Sequence, residues 1–261
     1  MNILKVFLNH FGRYLEKSTS SNDIFKLIKK MKPVSINKKL IRLGDDNDGG
    51  YVVPNDFKDV KFCFSAGVGN LIKFEQDCLN KFNIKSFLCD YNNIKNPRII
   101  NYFDFTKKKI SVINTNDNLT LNKWIKNKNI NDNEFILKID IEGSEYETLL
   151  NISDENLQKT RILIVEFHRL RDIRNVLFYQ IFNSVLDRLL DNFYIVHLHP
   201  NNAGKNIKIH EFNIPDLMEI TFIKKNRVKK KSKKHISYPL SIDQKCVLEK
   251  EDIFLDTYWY K

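Results

Sequence analysis

Short apolar runs alternate with longer amphipathic runs over most of the chain, and this alternation restricts the fold more than any other feature. Strand-like apolar runs lie at Lys61–Ala66, Ile84–Cys89, Ile110–Ile113, Phe135–Ile141, Arg161–Phe167, Phe193–Leu198 and Leu217–Lys224. Runs with helical spacing lie at Leu71–Phe82, Leu119–Lys128, Ser144–Leu150 and Ile173–Leu190. Strands that alternate with helices predict an α/β fold with a seven-stranded, mostly parallel sheet and helices on both faces. The last two strands are separated by an irregular loop, which predicts an antiparallel edge strand.

The sequence pattern divides the chain into three parts. We predict a helical N-terminal arm over residues 1–40, the α/β domain over 41–228, and a basic, aromatic-ended tail over 229–261. In the arm, apolar residues recur at helical spacing, which indicates a helix that packs on the core or on a second copy of the chain. A homodimer through this arm is therefore an expectation, and a membrane surface is a weaker alternative.

Several features favour a cytoplasmic protein. Charged residues interrupt the first segment too early for the apolar core of a signal peptide, and no run reaches the roughly 18 apolar residues of a membrane span. The four cysteines, Cys63, Cys78, Cys89 and Cys246, include no C-x-x-C pair. Their spacing predicts neither a disulfide framework nor a zinc site, so we expect buried, reduced thiols.

The net charge of +11 comes mainly from one segment. Residues 224–234 contain eight Lys or Arg side chains, so the rest of the chain is nearly balanced. Such a run can contact phosphates without sequence preference, which keeps an RNA-binding enzyme open as an alternative. We favour a solvated loop or a grip on an anionic carrier such as a nucleotide-linked sugar, because acidic side chains at the predicted strand ends repel a nucleic-acid backbone.

A glycine turn follows the first predicted strand, in the sequence SAGVGN over residues 65–70. Two glycines one residue apart let the backbone approach a ligand closely, and the helix that follows offers free N–H groups. The third position of a G-x-G-x-x-G motif holds Ile72, which argues against a pyrophosphate dinucleotide. Asp90 ends the next strand, where a carboxylate accepts hydrogen bonds from ribose hydroxyls. Together these features predict an adenosine-bearing cofactor.

A second glycine pair precedes the sheet, in the sequence DGGY over residues 48–51. The pair permits a turn that folds this segment over the cofactor, with Tyr51 as a lid or stacking residue. The predicted cofactor-binding residues are therefore Ser65, Gly67, Gly69, Asn70, Asp90, Tyr91 and Tyr51.

Acidic residues and a histidine lie at the ends of two later strands. Asp140 and Glu142 alternate along one predicted strand and so share a face, and Glu166 and His168 do the same on the next. If those strands are neighbours, a Glu, an Asp and a His converge on one small volume. Buried carboxylates placed there need a cation, a donor or a reacting proton. His199, at the end of a further strand, is a candidate for the opposite wall of this pocket.

Six blocks of the sequence, taken in order, resemble the FkbM-type S-adenosylmethionine-dependent methyltransferases. They are RLGDDNDGGYVV (42–53), FSAGVGNLIKFE (64–75), CDY (89–91), LTLNKW (119–124), LKIDIEGSEYETL (137–149) and VEFH (165–168). The resemblance covers roughly residues 40 to 225 and implies a Rossmann-like methyltransferase fold.

By this resemblance, Gly67 and Gly69 border the methionine part of the cofactor, and Asp90 holds its ribose. Asp140, Glu142 and His168 would then line the acceptor pocket. The chain departs from the family pattern at Asn122, where many relatives have Asp, which puts a role for this position in doubt.

These inferences together predict an O-methyltransferase that acts on a small sugar-type acceptor, either a nucleotide-linked sugar or a surface-polysaccharide precursor. A sugar hydroxyl has a pKa far above 7, so we expect His168 to act as the general base. A divalent cation, Mg²⁺ or Mn²⁺, held by Asp140, Glu166 and His168 is the alternative or additional activator. Two further alternatives remain: methylation of a phosphate or phosphoramidate oxygen on a glycan precursor, and an RNA-binding methyltransferase that uses residues 224–234.

Overall fold

The computed structural model describes residues 7, 10–12, 17–92, 102–131, 133–229 and 238–261. Its strands are β1 Leu40–Leu43, β2 Tyr51–Pro54, β3 Phe62–Ala66, β4 Lys85–Cys89, β5 Asp104–Thr106, β6 Lys109–Ile110, β7 Asn118–Leu119, β8 Phe135–Ile139, β9 Thr160–Phe167, β10 Phe193–Pro200, β11 Asn206–Ile209, β12 Phe212–Pro215 and β13 Met218–Lys224. Its α-helices are α1 Ser21–Lys30, α2 Lys73–Phe82, α3 Leu121–Asn127, α4 Glu145–Asn151, α5 Asp154–Lys159 and α6 Val176–Asn192. Short 3₁₀ turns lie at Leu170–Arg174, Lys225–Arg227 and Thr257–Trp259.

Seven strands form the central sheet, in the order β10-β13-β9-β8-β3-β4-β5. β9, β8, β3, β4 and β5 run parallel to one another. Among the described strands of this sheet, β13 alone runs in the opposite direction and is antiparallel to both β10 and β9. The predicted mostly parallel, seven-stranded α/β fold is confirmed. The antiparallel strand lies one position in from the edge, because β13 turns back from β10 and inserts between β10 and β9.

The third strand of the sheet differs from the prediction. We expected Ile110–Ile113, but the edge strand is β5, and Lys109–Ile110 pairs with Asn118–Leu119 outside the main sheet. All three residues of β5 are only partly buried. An edge strand of this kind needs no continuous apolar run, so the hydrophobic pattern does not reveal it.

The sheet separates two apolar layers, because side chains alternate between its faces. Phe64, Leu137 and Leu163 pack in the larger layer, with helices α1, α3, α4 and α6. Cys63, Ile136 and Ile162 face the other way, towards α2 and the β1–β2 hairpin. Every residue of β8 and β9 is buried, as expected for central strands covered on both faces.

The described parts of the arm and the tail pack on this same core. Ser20 caps α1 by accepting a hydrogen bond from the backbone N–H of Asp23, and the buried face of α1 joins the larger layer. Trp259, near the end of the tail, is almost fully buried in that layer. Most of residues 1–16, and residues 230–237 of the tail, lie outside the described residues. A dimer through the arm stays a prediction.

Within the described ranges, the helices are too short or too polar to cross a bilayer.

Candidate active site

A cavity of about 460 Å³ opens beyond the carboxyl ends of β3, β4 and β8. This is where the chain order of the parallel strands reverses, which is the usual ligand site in open α/β sheets. The volume falls in the range of about 300–1,000 Å³ that is typical of small-molecule pockets. The predicted site residues that line it are Tyr51, Gly67, Gly69, Asn70, Asp90, Tyr91, Asp140 and Glu142.

The glycine turn brings the ends of β3 and β8 into close contact. The backbone N–H of Asp140 donates to the carbonyl of Ala66 at 2.9 Å. Gly67 has a φ of 74°, and a Cβ added there would lie 1.6 Å from the Asp140 carbonyl oxygen. Gly69 has a φ of 49°, but a Cβ there would meet nothing within 4 Å. Gly67 is therefore required for the contact, whereas Gly69 only favours the backbone angle.

Asp90 holds the glycine turn in place. Its Oδ2 accepts hydrogen bonds from the backbone N–H groups of Val68 and Gly69, both at 2.9 Å. Its Oδ1 accepts from the backbone N–H of Asn92 at 2.7 Å. A carboxylate offers about four acceptor positions, so these three bonds leave capacity for a ligand hydroxyl.

Ser65 is not among the residues that line the cavity. Because side chains alternate along β3, Ser65 points to the α2 face, and its hydroxyl donates to the buried carboxylate of Glu75. Lys138 also pairs with Glu75, at 2.9 Å between Nζ and Oε1. Burial lowers the pKa of Lys138, but the Glu75 carboxylate outweighs burial and raises it. The sequence reasoning missed Lys138 as a lining residue.

The segment before the sheet folds over the cavity, as the second glycine pair predicts. Asp48 and Gly49 line the cavity. Tyr51 is 3% exposed and packs edge-on against Phe74, and its hydroxyl donates to Asp140 Oδ2 at 3.2 Å. Tyr51 is thus a core residue that contacts the predicted acceptor side, and its burial raises the pKa of the phenol.

Asp140 and Glu142 do not share a strand face, contrary to the prediction. β8 ends at Ile139, and the next residues form a turn in which Glu142 has a φ of 58° and Gly143 a φ of 103°. The turn nevertheless brings Glu142 Oε2 to 3.5 Å from His168 Nε2, although the Glu142 side chain is 84% exposed. The face argument failed because the strand ends before the motif does.

Glu145 orients His168, and the sequence analysis did not identify it as a site residue. His168 Nδ1 lies 3.1 Å from Glu145 Oε1. The same oxygen accepts from the backbone N–H groups of Ile141 and Gly143, at 3.1 and 3.0 Å. An oxygen that accepts two N–H bonds acts as a carboxylate oxygen, so Nδ1 of His168 is the donor. In the neutral ring, Nε2 then carries the lone pair.

Two carboxylates face this lone pair. His168 Nε2 lies 3.9 Å from Asp140 Oδ1 and 3.5 Å from Glu142 Oε2. Burial lowers the pKa of His168, but the hydrogen bond and charge of Glu145 and the charges of Asp140 and Glu142 outweigh burial and raise it. Burial raises the pKa of Asp140 to about 6, against the opposing charges of Lys138 and His168.

Glu166 completes a cluster that the sequence predicted to converge. Asp140, Glu166 and His168 each offer one ligand atom, and these atoms lie within 4.8 Å of one another. Burial, followed by the charges of Asp140, Glu219 and Asp48, raises the pKa of Glu166 well above its ordinary value. Glu166 Oε1 accepts from Asn201 Nδ2 at 2.9 Å, a contact that sequence reasoning also missed. The set fits a proton or a cation that neutralises the carboxylates.

Comparison with known families identifies the chain. The methyltransferase FkbM domain matches residues 46–196, which is more than half of the chain. The chain belongs to the FkbM methyltransferase family. The matched range contains the glycine turn, Asp90 and the Asp140–Glu166–His168 cluster, so the predicted family membership is confirmed together with methyltransferase as the enzyme class.

Three solved structures resemble this FkbM domain at low identity. A protein described as an rRNA methylase from Clostridium thermocellum has 13% identity and a TM-score of 0.37, over 64% of this chain and 90% of that one. The fibrillarin pre-rRNA processing protein of Methanococcus jannaschii has 15% identity and a TM-score of 0.36, over 72% and 83%. A 30S ribosomal A1408 methyltransferase from an uncultured bacterium has 10% identity and a TM-score of 0.31, over 70% and 100%. These likenesses are too distant to carry an argument about this chain. No curated protein matched it.

His199, which lies just beyond the matched range, does not line the cavity. It lies buried on β10, and its Nδ1 is 3.1 Å from Glu219 Oε2 on the neighbouring strand. Burial lowers the pKa of His199, but the Glu219 carboxylate outweighs burial and raises it. Glu219 in turn is the cross-strand partner of Glu166 on β9. His199 is therefore separated from the acceptor cluster by the width of one strand, β13.

Asn122 forms hydrogen bonds that stabilise the fold. Its Nδ2 donates to the carbonyl of Asn151 at 2.9 Å, and its Oδ1 accepts from the backbone N–H of Ser153 at 2.8 Å. These bonds tie α3 to the turn between α4 and α5, and Asn122 is not among the residues that line the cavity.

The described part of the basic run lies at the opposite end of the sheet from the cavity. Lys224 is the cross-strand partner of Phe193, the first residue of β10. Lys224 Nζ pairs with Glu134 at 3.1 Å, and Arg227 Nε pairs with Asp56 at 2.8 Å. These two charges of the FkbM enzyme are therefore engaged in ion pairs of the fold.

Proposed function

We propose that this methyltransferase transfers the methyl group of S-adenosylmethionine to a hydroxyl oxygen of a small sugar-type acceptor. The acceptor is a nucleotide-linked sugar or a surface-polysaccharide precursor. The observation that carries the proposal is the position of His168 Nε2, 3.9 Å from Asp140 Oδ1 and 3.5 Å from Glu142 Oε2. These two carboxylates line the cavity, and His168 lies behind them, not among the lining residues. With the imidazole neutral and the carboxylates charged, these groups favour a hydroxyl proton or a cation between them.

The cavity suits the cofactor. The Gly67 position has no room for a side chain, and the turn lacks the third glycine that a pyrophosphate requires. We assign the methionine part to Gly67, Gly69 and Asn70, and the ribose hydroxyls to the remaining acceptor capacity of Asp90. When bound, S-adenosylmethionine supplies an electrophilic methyl group on a positively charged sulfur.

The chain's own residues prepare the acceptor. Glu145 holds the His168 ring in the orientation that leaves Nε2 free, and Nε2 takes the proton of the attacking hydroxyl. Asp140 stabilises the resulting imidazolium and is itself positioned by the Tyr51 hydroxyl. Because His168 must be neutral to act as a base, turnover rises as the pH rises through its raised pKa.

A divalent cation is the second way to activate the hydroxyl. Asp140, Glu166 and His168 would hold it, since two hard carboxylate oxygens and one imidazole suit Mg²⁺ or Mn²⁺. Carboxylates that raise the pKa of one another, as Asp140 and Glu219 do for Glu166, favour such a cation. When bound, the cation lowers the pKa of a coordinated hydroxyl.

Other acceptors have less support. A phosphate or phosphoramidate oxygen carries negative charge, which the carboxylates around His168 oppose. RNA has no greater support, because the described part of the basic run lies at the other end of the sheet, where Lys224 and Arg227 are engaged in ion pairs. The four free cysteines are all buried, which supports the proposal of a reducing, cytoplasmic location.

Methyl transfer from labelled S-adenosylmethionine to a panel of nucleotide sugars, with and without EDTA, tests the proposal. We expect H168A to lower kcat by about 10²–10⁴-fold, with unchanged cofactor affinity, because a general base contributes about that much. D140N should lower kcat as well. EDTA distinguishes the cation from the base: lost turnover indicates the cation, and retained turnover indicates His168 alone.

The matched control is H210A, since His210 is exposed and bonds only to the carbonyl of Thr19 among the contacts of the described residues. H210A should leave kcat unchanged. Full turnover in both H168A and D140N would remove the acceptor site. Tighter binding of a nicotinamide dinucleotide than of S-adenosylmethionine would remove the cofactor assignment.

A further inference from the structure

We propose that His199, Glu219 and Cys246 form a zinc site, separate from the cluster around His168. One ligand atom from each residue lies within 4.8 Å of the other two. His199 Nδ1 is 3.1 Å from Glu219 Oε2, and Cys246 Sγ is 3.6 Å from Glu219 Oε1. The three residues are 4%, 4% and 5% exposed, so the site lies inside the protein.

The fold holds these ligands close together. His199 and Glu219 are direct cross-strand partners on β10 and β13, and both are anchored by the ladder between these strands. Cys246 lies in the tail, and Asn202 binds the backbone of the residue that follows it, Val247. The Asn202 amide accepts from the backbone N–H of Val247 at 2.7 Å and donates to its carbonyl at 2.8 Å. No ligand has to travel far to reach a metal.

The donor set selects zinc. A thiolate, an imidazole and a carboxylate are the usual zinc ligands, and three of them leave a fourth tetrahedral position for water. The cluster around His168 contains no sulfur and prefers a harder cation. Burial, followed by the charges of Glu219, Glu166 and Asp48, raises the pKa of the Cys246 thiol. A bound cation would offset both the burial and the negative charges, and so would stabilise the thiolate form of Cys246.

The site gives the tail a role near the acceptor pocket. Glu219 is the cross-strand partner of Glu166, so a metal on Glu219 also fixes the strand that positions Glu166. The tail residue Cys246 would thereby be tied to the acceptor end of the sheet. This inference does not depend on the identity of the acceptor or of the methyl donor.

Metal analysis of the purified 261-residue chain tests the site without any acceptor. After incubation with zinc and gel filtration, we expect about one zinc ion per chain. Replacement of zinc by Co²⁺ should produce a thiolate-to-cobalt charge-transfer band in the near ultraviolet, because a cysteine ligates the metal. C246S should lose the band and the zinc.

Two control variants show whether the zinc and the band depend on Cys246 in particular. C78S removes a buried thiol outside the site and should keep both zinc and band. H168A disrupts only the cluster around His168 and should keep them too. The proposal is overturned if the unmodified chain shows no charge-transfer band, a result that needs no variant to fold. It is also overturned if H168A loses the zinc while C246S retains it. Failure of the proposed methyl transfer would leave these readouts unchanged.

Discussion

The two halves of the candidate active site are built in different ways. The cofactor half consists of backbone around Gly67 and one carboxylate, Asp90, which accepts three backbone N–H bonds. The acceptor half consists of side chains that meet from different elements, with Asp140 after β8, Glu166 on β9 and His168 after β9. Backbone donors satisfy the charge in the first half, whereas carboxylates face one another in the second.

This difference indicates that the cofactor half is preorganised for binding, whereas the acceptor half is suited to reaction. Backbone N–H groups hold Asp90 and the glycine turn in one geometry, so a ligand that binds there meets a rigid site. In the acceptor half, burial and neighbouring carboxylates raise the pKa values of Asp140 and Glu166. Groups with such shifted pKa values can exchange a proton or hold a cation near neutral pH, which is typical of reacting sites.

The largest expected effect comes from G67A, in which one added methyl group should disrupt the cofactor half. In G67A the new Cβ would overlap the Asp140 carbonyl, at 1.6 Å in the present geometry. We expect a loss of about 3 kcal/mol or more in the free energy of unfolding, measured by denaturant titration. We also expect at least a tenfold loss of S-adenosylmethionine affinity, measured by calorimetry.

The control for that substitution is G69A, where the added Cβ meets nothing within 4 Å. It should cost only about 1 kcal/mol, which is the strain of a left-handed backbone angle. Equal losses in G67A and G69A would contradict the claim that close contact between β3 and β8 builds the cofactor half.

A smaller effect should appear in the acceptor half alone. E145Q keeps an oxygen for the backbone N–H groups of Ile141 and Gly143 but removes the charge that raises the pKa of His168. The pKa of His168 should therefore fall. If neutral His168 is the base, as proposed, the acidic limb of the kcat profile should move to lower pH, with cofactor affinity unchanged.

E147Q is the matched control for E145Q, because Glu147 lies on the same helix but is exposed. Its pH profile should match that of the unmodified enzyme. A limb that stays in place in E145Q would mean that His168 does not set the pH dependence, and the assignment of the base would fail.

The smallest effect should come from R227Q, at the end of the sheet opposite both halves. Burial raises the pKa of Asp56, but hydrogen bonds from Arg227 and Lys38 outweigh burial and lower it. The pair therefore stabilises the fold above the ordinary Asp pKa, and this contribution is lost as the pH falls. We expect R227Q to cost about 1 kcal/mol at neutral pH and less at pH values below about 4.

Thermal or denaturant unfolding across pH checks this expectation, with K229Q as a control, since Lys229 is exposed. Turnover and cofactor affinity should stay unchanged in R227Q. A large loss of turnover would connect the basic run to the substrate and would revive the RNA-binding alternative.

The sequence predicted the parts of the site that depend on local pattern. The apolar runs around β3, β8 and β9 and the glycines at 67 and 69 carry strong signals, because burial and tight turns each demand particular residue types. It did not predict the edge strand β5, whose residues are half-buried and lack an apolar pattern. It also wrongly placed Asp140 and Glu142 on one strand face. β8 ends at Ile139 because a turn follows, and the apolar pattern does not show where that turn begins.

What the sequence determined by itself is the alternation of strands and helices around β3, β8 and β9, the glycine turn and the family. These features follow from residue spacing along short stretches of chain. Such spacing has the same effect wherever the stretch lies in the fold. Only the tertiary structure decided that Glu145 orients His168, that Asn201 binds Glu166, and that Cys246 reaches His199. These contacts join residues on different elements, and their partners are chosen by sheet order and register, which no local spacing encodes.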